Sequence, residues 1–333
     1  MQQSILKGQG SMMNKAPLLE IKNLTVTYPQ GPQGKDELKA LDQIFINLSE
    51  GQITGIVGES GAGKSTIGKA ILGLLDPPAK LVSGEIRFLG NSLVGLSEAQ
   101  FESLRGNQIG YIYQNPMTAL NPVLTIGEQV VEAIEANTNL RGNNAWEYAI
   151  QLLERADVSF AEDRLQKYPH QLSGGLCQRI VFAIAIAAKP KLIIADEPTT
   201  ALDVTVQQSV LQTLIKLSQQ EQIAIILITH DIGVIAETCD YVYVMRYGKH
   251  VEQDATNKVL QRPSQNYTRS LMASVPLIET RLHRFALNEE DNLKDTSTGL
   301  HYLQEKQTTQ DSTNEPLLEV RNLSKIFVTP SSL

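Results

Sequence analysis

The chain has 333 residues, 42% hydrophobic and 20% charged, enough for one large buried core with further material beyond it. A net charge of −7 gives no general attraction to nucleic acid or anionic lipid, and two cysteines, Cys177 and Cys239, are too few for a disulfide framework and fit a reducing cytosol. The longest uninterrupted apolar run, Ile180 to Ala188, falls far short of the ~20 residues that cross a bilayer.

Met1 to Lys15 has no apolar segment of the kind a signal peptide needs. With Gly10-Ser11 before Met12-Met13 it reads as a vector-derived leader at 1–15, set aside from the fold. A strand pattern follows from Ala16 and ends on Tyr28. Gln52 to Val57 is an apolar run suited to a buried strand, and Thr66 to Leu72 has helical spacing. Between them lies Gly58-Glu59-Ser60-Gly61-Ala62-Gly63-Lys64-Ser65-Thr66. Gly58, Gly61 and Gly63 let the backbone turn tightly and aim its N–H groups inward, Lys64 can reach β/γ-phosphates as a point charge, and the Ser65 hydroxyl is placed to ligate Mg²⁺. A strand–loop–helix context would set the phosphates at a helix N-terminus, the arrangement that binds ATP or a close analogue.

Strands are expected at 84–89 and 108–113, and amphipathic helices at 125–136 and 145–156. Leu192 to Ala195 and Ile223 to Ile228 are uniformly apolar, as parallel strands covered on both faces should be, which predicts a parallel α/β core. Each ends in a polar cluster where an open parallel sheet puts its ligand. Asp196-Glu197 follows the first: one carboxylate can hold the Mg²⁺ shell while the other orients and deprotonates an attacking water. His230 follows the second, where it could meet a γ-phosphate or that water; a lone histidine is otherwise more often structural. Leu172-Ser173-Gly174-Gly175-Leu176-Cys177 combines an N-cap serine with two glycines that let helix-start amides approach an anion. Cys177 lies in that helix's first turn, where the dipole would lower a thiol pKa and burial would oppose it; a packing role is the expectation.

These motifs, in this order, closely resemble the nucleotide-binding domain of ATP-binding cassette transporters over residues 16 to 276. Gly58 to Thr66 matches that family's phosphate loop, Gln114 its Q-loop, Ser173-Gly174-Gly175 its signature loop, Lys191 to Glu197 its metal-and-base strand, Ala201-Leu202-Asp203 its D-loop and His230 its switch histidine, while Tyr28 falls where the family's aromatic stacks on adenine. The resemblance implies a P-loop NTPase (RecA-like) α/β fold: a parallel-sheet core, an antiparallel β subdomain and an inserted α-helical subdomain at about 114–172, within a domain spanning 16–278. It implies ATP and Mg²⁺ as ligands, with Ser65, Gln114 and Asp196 on the metal, Glu197 polarising water and His230 completing the γ-phosphate site. It also implies a second nucleotide-binding domain facing the first, integral membrane permease subunits docking on the helical subdomain, indirectly a solute-binding protein, no nucleic acid, and a place on the cytoplasmic side of the plasma membrane. An ATPase of this family working on ribosomes or DNA would be expected to carry basic arms or long coiled-coil inserts, and neither is visible.

Leu176 stands where many members have Gln, but peptide importers often have Met there. The surroundings of Gln114, Tyr113 to Pro122, and the stretch Tyr267 to Pro276 are similar to oligopeptide, dipeptide and nickel importers. Relatives in that branch often carry cysteines in the C-terminal extension; none follows Cys239, so no iron–sulfur cluster is expected. Residues 279–314 are polar and patternless, like a linker. Ala16 to Tyr28 then recurs at Glu315 to Phe327 with six identities, an expected truncated start of a second domain at 315–333 and hence the first half of a tandem protein.

Overall fold

The computed structural model describes residues 16–30, 36–200 and 204–273. The expected leader, Asp203 with its two predecessors, and everything from 274 on, including the linker and the recurring strand sequence, lie outside the described residues.

The chain opens with two long strands, β1 (Leu19–Gln30) and β2 (Asp36–Leu48), then the buried β3 (Ile53–Val57) and helix α1 (Lys64–Ile71). Next come β4 (Lys80–Phe88), the short β5 (Asn91–Ser92), α2 (Glu98–Leu104) and β6 (Ile109–Ile112). A helical block follows: α3 (Pro116–Ala119), α4 (Ile126–Asn137), α5 (Asn143–Arg155) and α6 (Ala161–Leu165). After it, α7 (Gly174–Ile186) leads to β7 (Leu192–Asp196), and α8 (Val204–Glu221) leads to β8 (Ala224–Thr229). The last elements are α9 (Ile232–Thr238), β9 (Tyr241–Arg246), β10 (Lys249–Ala255), α10 (Thr256–Gln261) and α11 (Asn266–Ala273).

The strands form two sheets, an antiparallel one in the order β2-β1-β4-β5 and a six-stranded one in the order β10-β9-β3-β8-β7-β6. In the second, β9 through β6 run parallel and only β10 joins antiparallel, at an edge. Every residue of β3, β7 and β8 is buried, because helices cover one face of the sheet and α1 with the antiparallel sheet covers the other. Successive residues alternate between these two cores: Ile193 and Ala195 join α4, α5, α7 and α8, whereas Leu192 and Ile194 join α1 and β1, β2 and β4. This is the expected fold class.

Two expected helices begin close to where the sequence places them, for visible reasons. At α4 the Thr125 Oγ1 accepts from the Glu128 N–H at 3.2 Å and the Glu128 carboxylate accepts from the Thr125 N–H at 2.7 Å, a reciprocal capping box. At α7 the Ser173 hydroxyl accepts from the Leu176 N–H at 3.4 Å, so Ser173 is the N-cap. Helix α1 starts two residues earlier than its apolar spacing suggests. Gly63 turns the backbone left-handed at φ 94°, and Lys64 and Ser65 therefore sit in the first helical turn.

Phe182, in α7, is the largest fully buried side chain among the described residues and lies in the core on the helical face of the sheet. Phe182→Ala should cost about 3–5 kcal/mol of folding stability, read as a lower denaturant midpoint, because the cavity collapses only in part.

Candidate nucleotide site

Strand register decides which side chains meet. Val57 pairs with Thr229 across β3–β8, and Asp196 pairs with Ile228 across β8–β7. The C-terminal ends of three adjacent parallel strands are thus level, and the residues that leave them, Gly58, Glu197 and His230, emerge along one edge of the sheet.

The loop after β3 packs against backbone. A Cβ on Gly58 would stand 2.2 Å from the Met245 carbonyl oxygen, and one on Gly63 would stand 2.3 Å from that of Ala40. Both positions therefore require glycine, Gly63 also for its positive φ. Glu59, Ser60, Gly61 and Ser65 face solvent, Ala62 is buried and Thr66 is half-buried. Lys64 is only 5% exposed, and its ammonium donates to the carbonyls of Gly58 at 2.8 Å and Glu59 at 3.0 Å. Burial pushes its pKa down, opposed by the carboxylates of Glu197, Asp196 and Glu59.

Asp196, 9% exposed, accepts from Ser65 Oγ at 2.9 Å and from Tyr111 Oη at 2.8 Å. Burial raises its carboxyl pKa; the two hydroxyl donors and Lys64 work against that shift, and the neighbouring Glu197 adds to it. Burial, and then the charge of Asp196, likewise raises the Tyr111 phenol, which stays protonated and donates. Ser65 and Asp196 bring together two hard oxygens of the kind Mg²⁺ takes, so the donor set present fits that ion.

Glu197 has φ 47°, left-handed for a residue with a Cβ, and its N–H is tied to the Ile228 carbonyl at 2.8 Å. Its Oε2 accepts from Gln114 Nε2 at 2.9 Å and Thr200 Oγ1 at 3.0 Å, while His230 Nδ1 lies 3.2 Å from Oε1. Residues 83 and 33 positions away in sequence thus converge on one carboxylate. Gln114 meets Glu197 here, rather than the Ser65–Asp196 pair with which the sequence groups it.

Other expected residues stand apart from this cluster. Tyr28, half-buried, pairs with Leu38 near the end of β1. Ser173 and Gly174 are exposed at the start of α7, and a Cβ on Gly175 would stand 2.4 Å from Val206 Cγ1, which seats that end on α8. The Ser173 hydroxyl and carbonyl accept from the Leu176 and Cys177 N–H groups of α7. The Cys177 thiol is buried, faces the Pro169 carbonyl at 3.5 Å and has its pKa raised by burial, in keeping with packing. Sequence reasoning missed Tyr111 and Thr200. Tyr111 left a signal, because a tyrosine on a strand meant to be buried needs a partner for its hydroxyl.

A family model described as "ABC transporter" matches residues 41–200. A probable peptide ABC transporter ATP-binding protein of Sinorhizobium fredii, y4tR, is 43% identical over 261 residues, 78% of this chain and 77% of that protein. The oligopeptide transport ATP-binding protein AppD of Bacillus subtilis is 40% identical over 268 residues, 80% of this chain and 81% of its own. A solved dimer of the ATP-binding cassette MJ0796, in a post-hydrolysis state bound to ADP and Pi, aligns with a TM-score of 0.63 at 29% identity, covering 72% of this chain and 98% of that one.

Burial raises the Asp196 pKa above the ordinary 3.8, so folding favours proton binding there relative to the unfolded chain. The stability this gives is full below the ordinary aspartate value and is lost as pH rises through the raised one. Asp196→Asn, which cannot ionise, should therefore melt above the unsubstituted protein at pH 7 without nucleotide, and the gap should narrow as the pH is lowered toward 4. Thermal melts of both proteins across that range check it.

Proposed function

The chain belongs to the ABC transporter family of ATP-binding proteins, and from that premise we propose that it is the ATP-hydrolysing subunit powering import of peptides or related small solutes. The observation that carries the site assignment is the meeting of the phosphate loop, the Ser65–Asp196 pair and the Gln114–Glu197–His230 cluster on one edge of the parallel sheet. The names of the relatives support the substrate class: they are described as peptide and oligopeptide transport ATP-binding proteins. No observation favours a cassette ATPase working outside transport.

In this reading the amides of residues 61–65 and the Lys64 ammonium hold the phosphates of ATP. Lys64 already lies against the loop, and it exchanges the Gly58 and Glu59 carbonyls for phosphate oxygens. Ser65 and Asp196 would hold Mg²⁺, which supplies positive charge to the β- and γ-phosphate oxygens. Gln114 is the third residue assigned to that shell, and its amide donates to Glu197. Glu197 takes the proton of the attacking water as the β–γ bridging bond breaks, giving ADP and phosphate. His230 faces the other oxygen of that carboxylate, where it orients Glu197 and completes the γ-phosphate side. Tyr28 is the residue assigned to adenine.

The start of α7 is exposed at Ser173 and Gly174 and seated on α8 through Gly175, which favours its use on the nucleotide of a facing cassette. That cassette would be a second copy of the chain or a further domain of the kind suggested by the recurrence of the 16–28 sequence at 315–327; Asp203 is assigned to the same junction. The helical block α3–α6 faces permease subunits in the membrane, and a solute-binding protein delivers cargo to those permeases. In this reading the ATPase works at the cytoplasmic surface of the plasma membrane.

Glu197→Gln, which keeps the size and most hydrogen bonds of the side chain but cannot accept the proton, should lower steady-state phosphate release at least ~10²-fold while ATP binding stays intact. Turnover like that of the unsubstituted protein would refute the base assignment. Lys64→Ala should instead weaken binding itself, and an unaltered ATP titration would count against the phosphate-loop assignment.

A further inference from the structure

Helix α11, the last among the described residues, packs beside the phosphate loop through a residue that the reading above leaves without a role. Tyr267 is 5% exposed, and its ring joins a small core with Val57, Val242, Val244 and Val259. Val57 is the last residue of β3, immediately before Gly58. The Arg246 guanidinium lies 4.6 Å from the centre of the Tyr267 ring, a cation–π contact. Ahead of the helix, the Glu252 carboxylate accepts from Ser264 N at 2.7 Å, Ser264 Oγ at 2.9 Å and Gln265 N at 3.2 Å, anchoring to β10 the turn from which α11 starts.

The informative contact is at the other end of the tyrosine. The Glu59 N–H donates to Tyr267 Oη at 3.2 Å, across 208 positions of sequence. That N–H belongs to the same peptide unit as the Gly58 carbonyl, which accepts from Lys64 Nζ at 2.8 Å. One peptide plane at the entry to the loop is thus held from both sides, by Tyr267 on its N–H and by Lys64 on its C=O. When Lys64 turns to phosphate it releases the carbonyl, and the tyrosine hydroxyl is the side-chain contact that continues to orient the plane. A rotated plane would redirect the amides that follow it, and these must point at phosphate oxygens.

We propose that Tyr267 is a positioning residue of the nucleotide site, its hydroxyl fixing the Gly58–Glu59 peptide so that Lys64 and the succeeding amides meet the phosphates, which makes α11 a working part of that site. The inference rests on the ATPase reading above. Tyr267→Phe is the test, because it removes one oxygen and keeps the buried ring and its contact with Arg246. In the full chain, the dissociation constant for MgATP by calorimetry and the KM for turnover should rise together by about three- to tenfold, the scale of one lost hydrogen bond. The kcat should stay within about twofold, since binding lost equally from ground and transition states leaves it unchanged. Hydrogen exchange at the Glu59 amide in the nucleotide-free protein should quicken.

An unchanged affinity and KM would overturn the positioning role even if the melting temperature fell, because the hydroxyl would then serve stability alone. So would a loss of kcat at constant KM. Should Tyr267→Phe fail to fold, Glu252→Gln, which loosens the turn carrying α11 and leaves the tyrosine intact, is judged by the same criteria. If the unsubstituted chain does not bind MgATP, the ATPase reading falls and this inference with it; binding by that chain but no change in either variant overturns only the role of Tyr267.

Discussion

Everything at the site depends on the register of three parallel strands. Because β3, β8 and β7 end level, with Val57 opposite Thr229 and Ile228 opposite Asp196, three loops leave the sheet side by side. A shift of one residue in any pair would reverse which face each side chain occupies and move the cluster off that edge. Complete burial of these strands on both faces holds the register, since their apolar side chains are shared out among the cores on either face. The catalytic geometry is in this sense a by-product of core packing.

On that frame, two adjacent carboxylates are given different surroundings. Asp196 is sunk among the Ser65 and Tyr111 hydroxyls, where burial raises its carboxyl pKa against the pull of those two donors. Glu197 is turned aside by its left-handed backbone and braced by Gln114, Thr200 and His230. Strain of roughly 1–3 kcal/mol at such a residue persists only where its surroundings hold it, and here the bond from its N–H to the Ile228 carbonyl contributes. Neighbouring groups in sequence thus acquire distinct chemistry, one suited to a metal shell and the other to a proton.

Lys64 links both arrangements. Its buried ammonium is disfavoured by desolvation and supported by the three carboxylates of Glu197, Asp196 and Glu59. The loop that carries it is walled by backbone on two sides, the Met245 and Ala40 carbonyls, which excludes any side chain at Gly58 or Gly63. The same wall continues into Arg246 and the ring of Tyr267, joining α11 to the loop.

The sequence alone was enough for the glycine-rich turn between β3 and α1, the uniformly apolar strands, the adjacent carboxylates at the end of β7, the capped helix at Ser173 and the family resemblance, because these are local patterns: glycine spacing, hydrophobic runs and capping residues act over a few positions. The same holds for helices α4 and α5, found within a few residues of their expected spans. Only the tertiary structure decided that Gln114 meets Glu197, that Tyr111 supports Asp196, and that Tyr267 reaches Glu59, contacts made across 83, 85 and 208 positions. It also decided that β9 and β10 complete the sheet, and that α1 begins at Lys64 because Gly63 turns left-handed. Such facts follow from which strands lie side by side and where backbones approach, and pairing over those separations leaves no periodic trace along the chain.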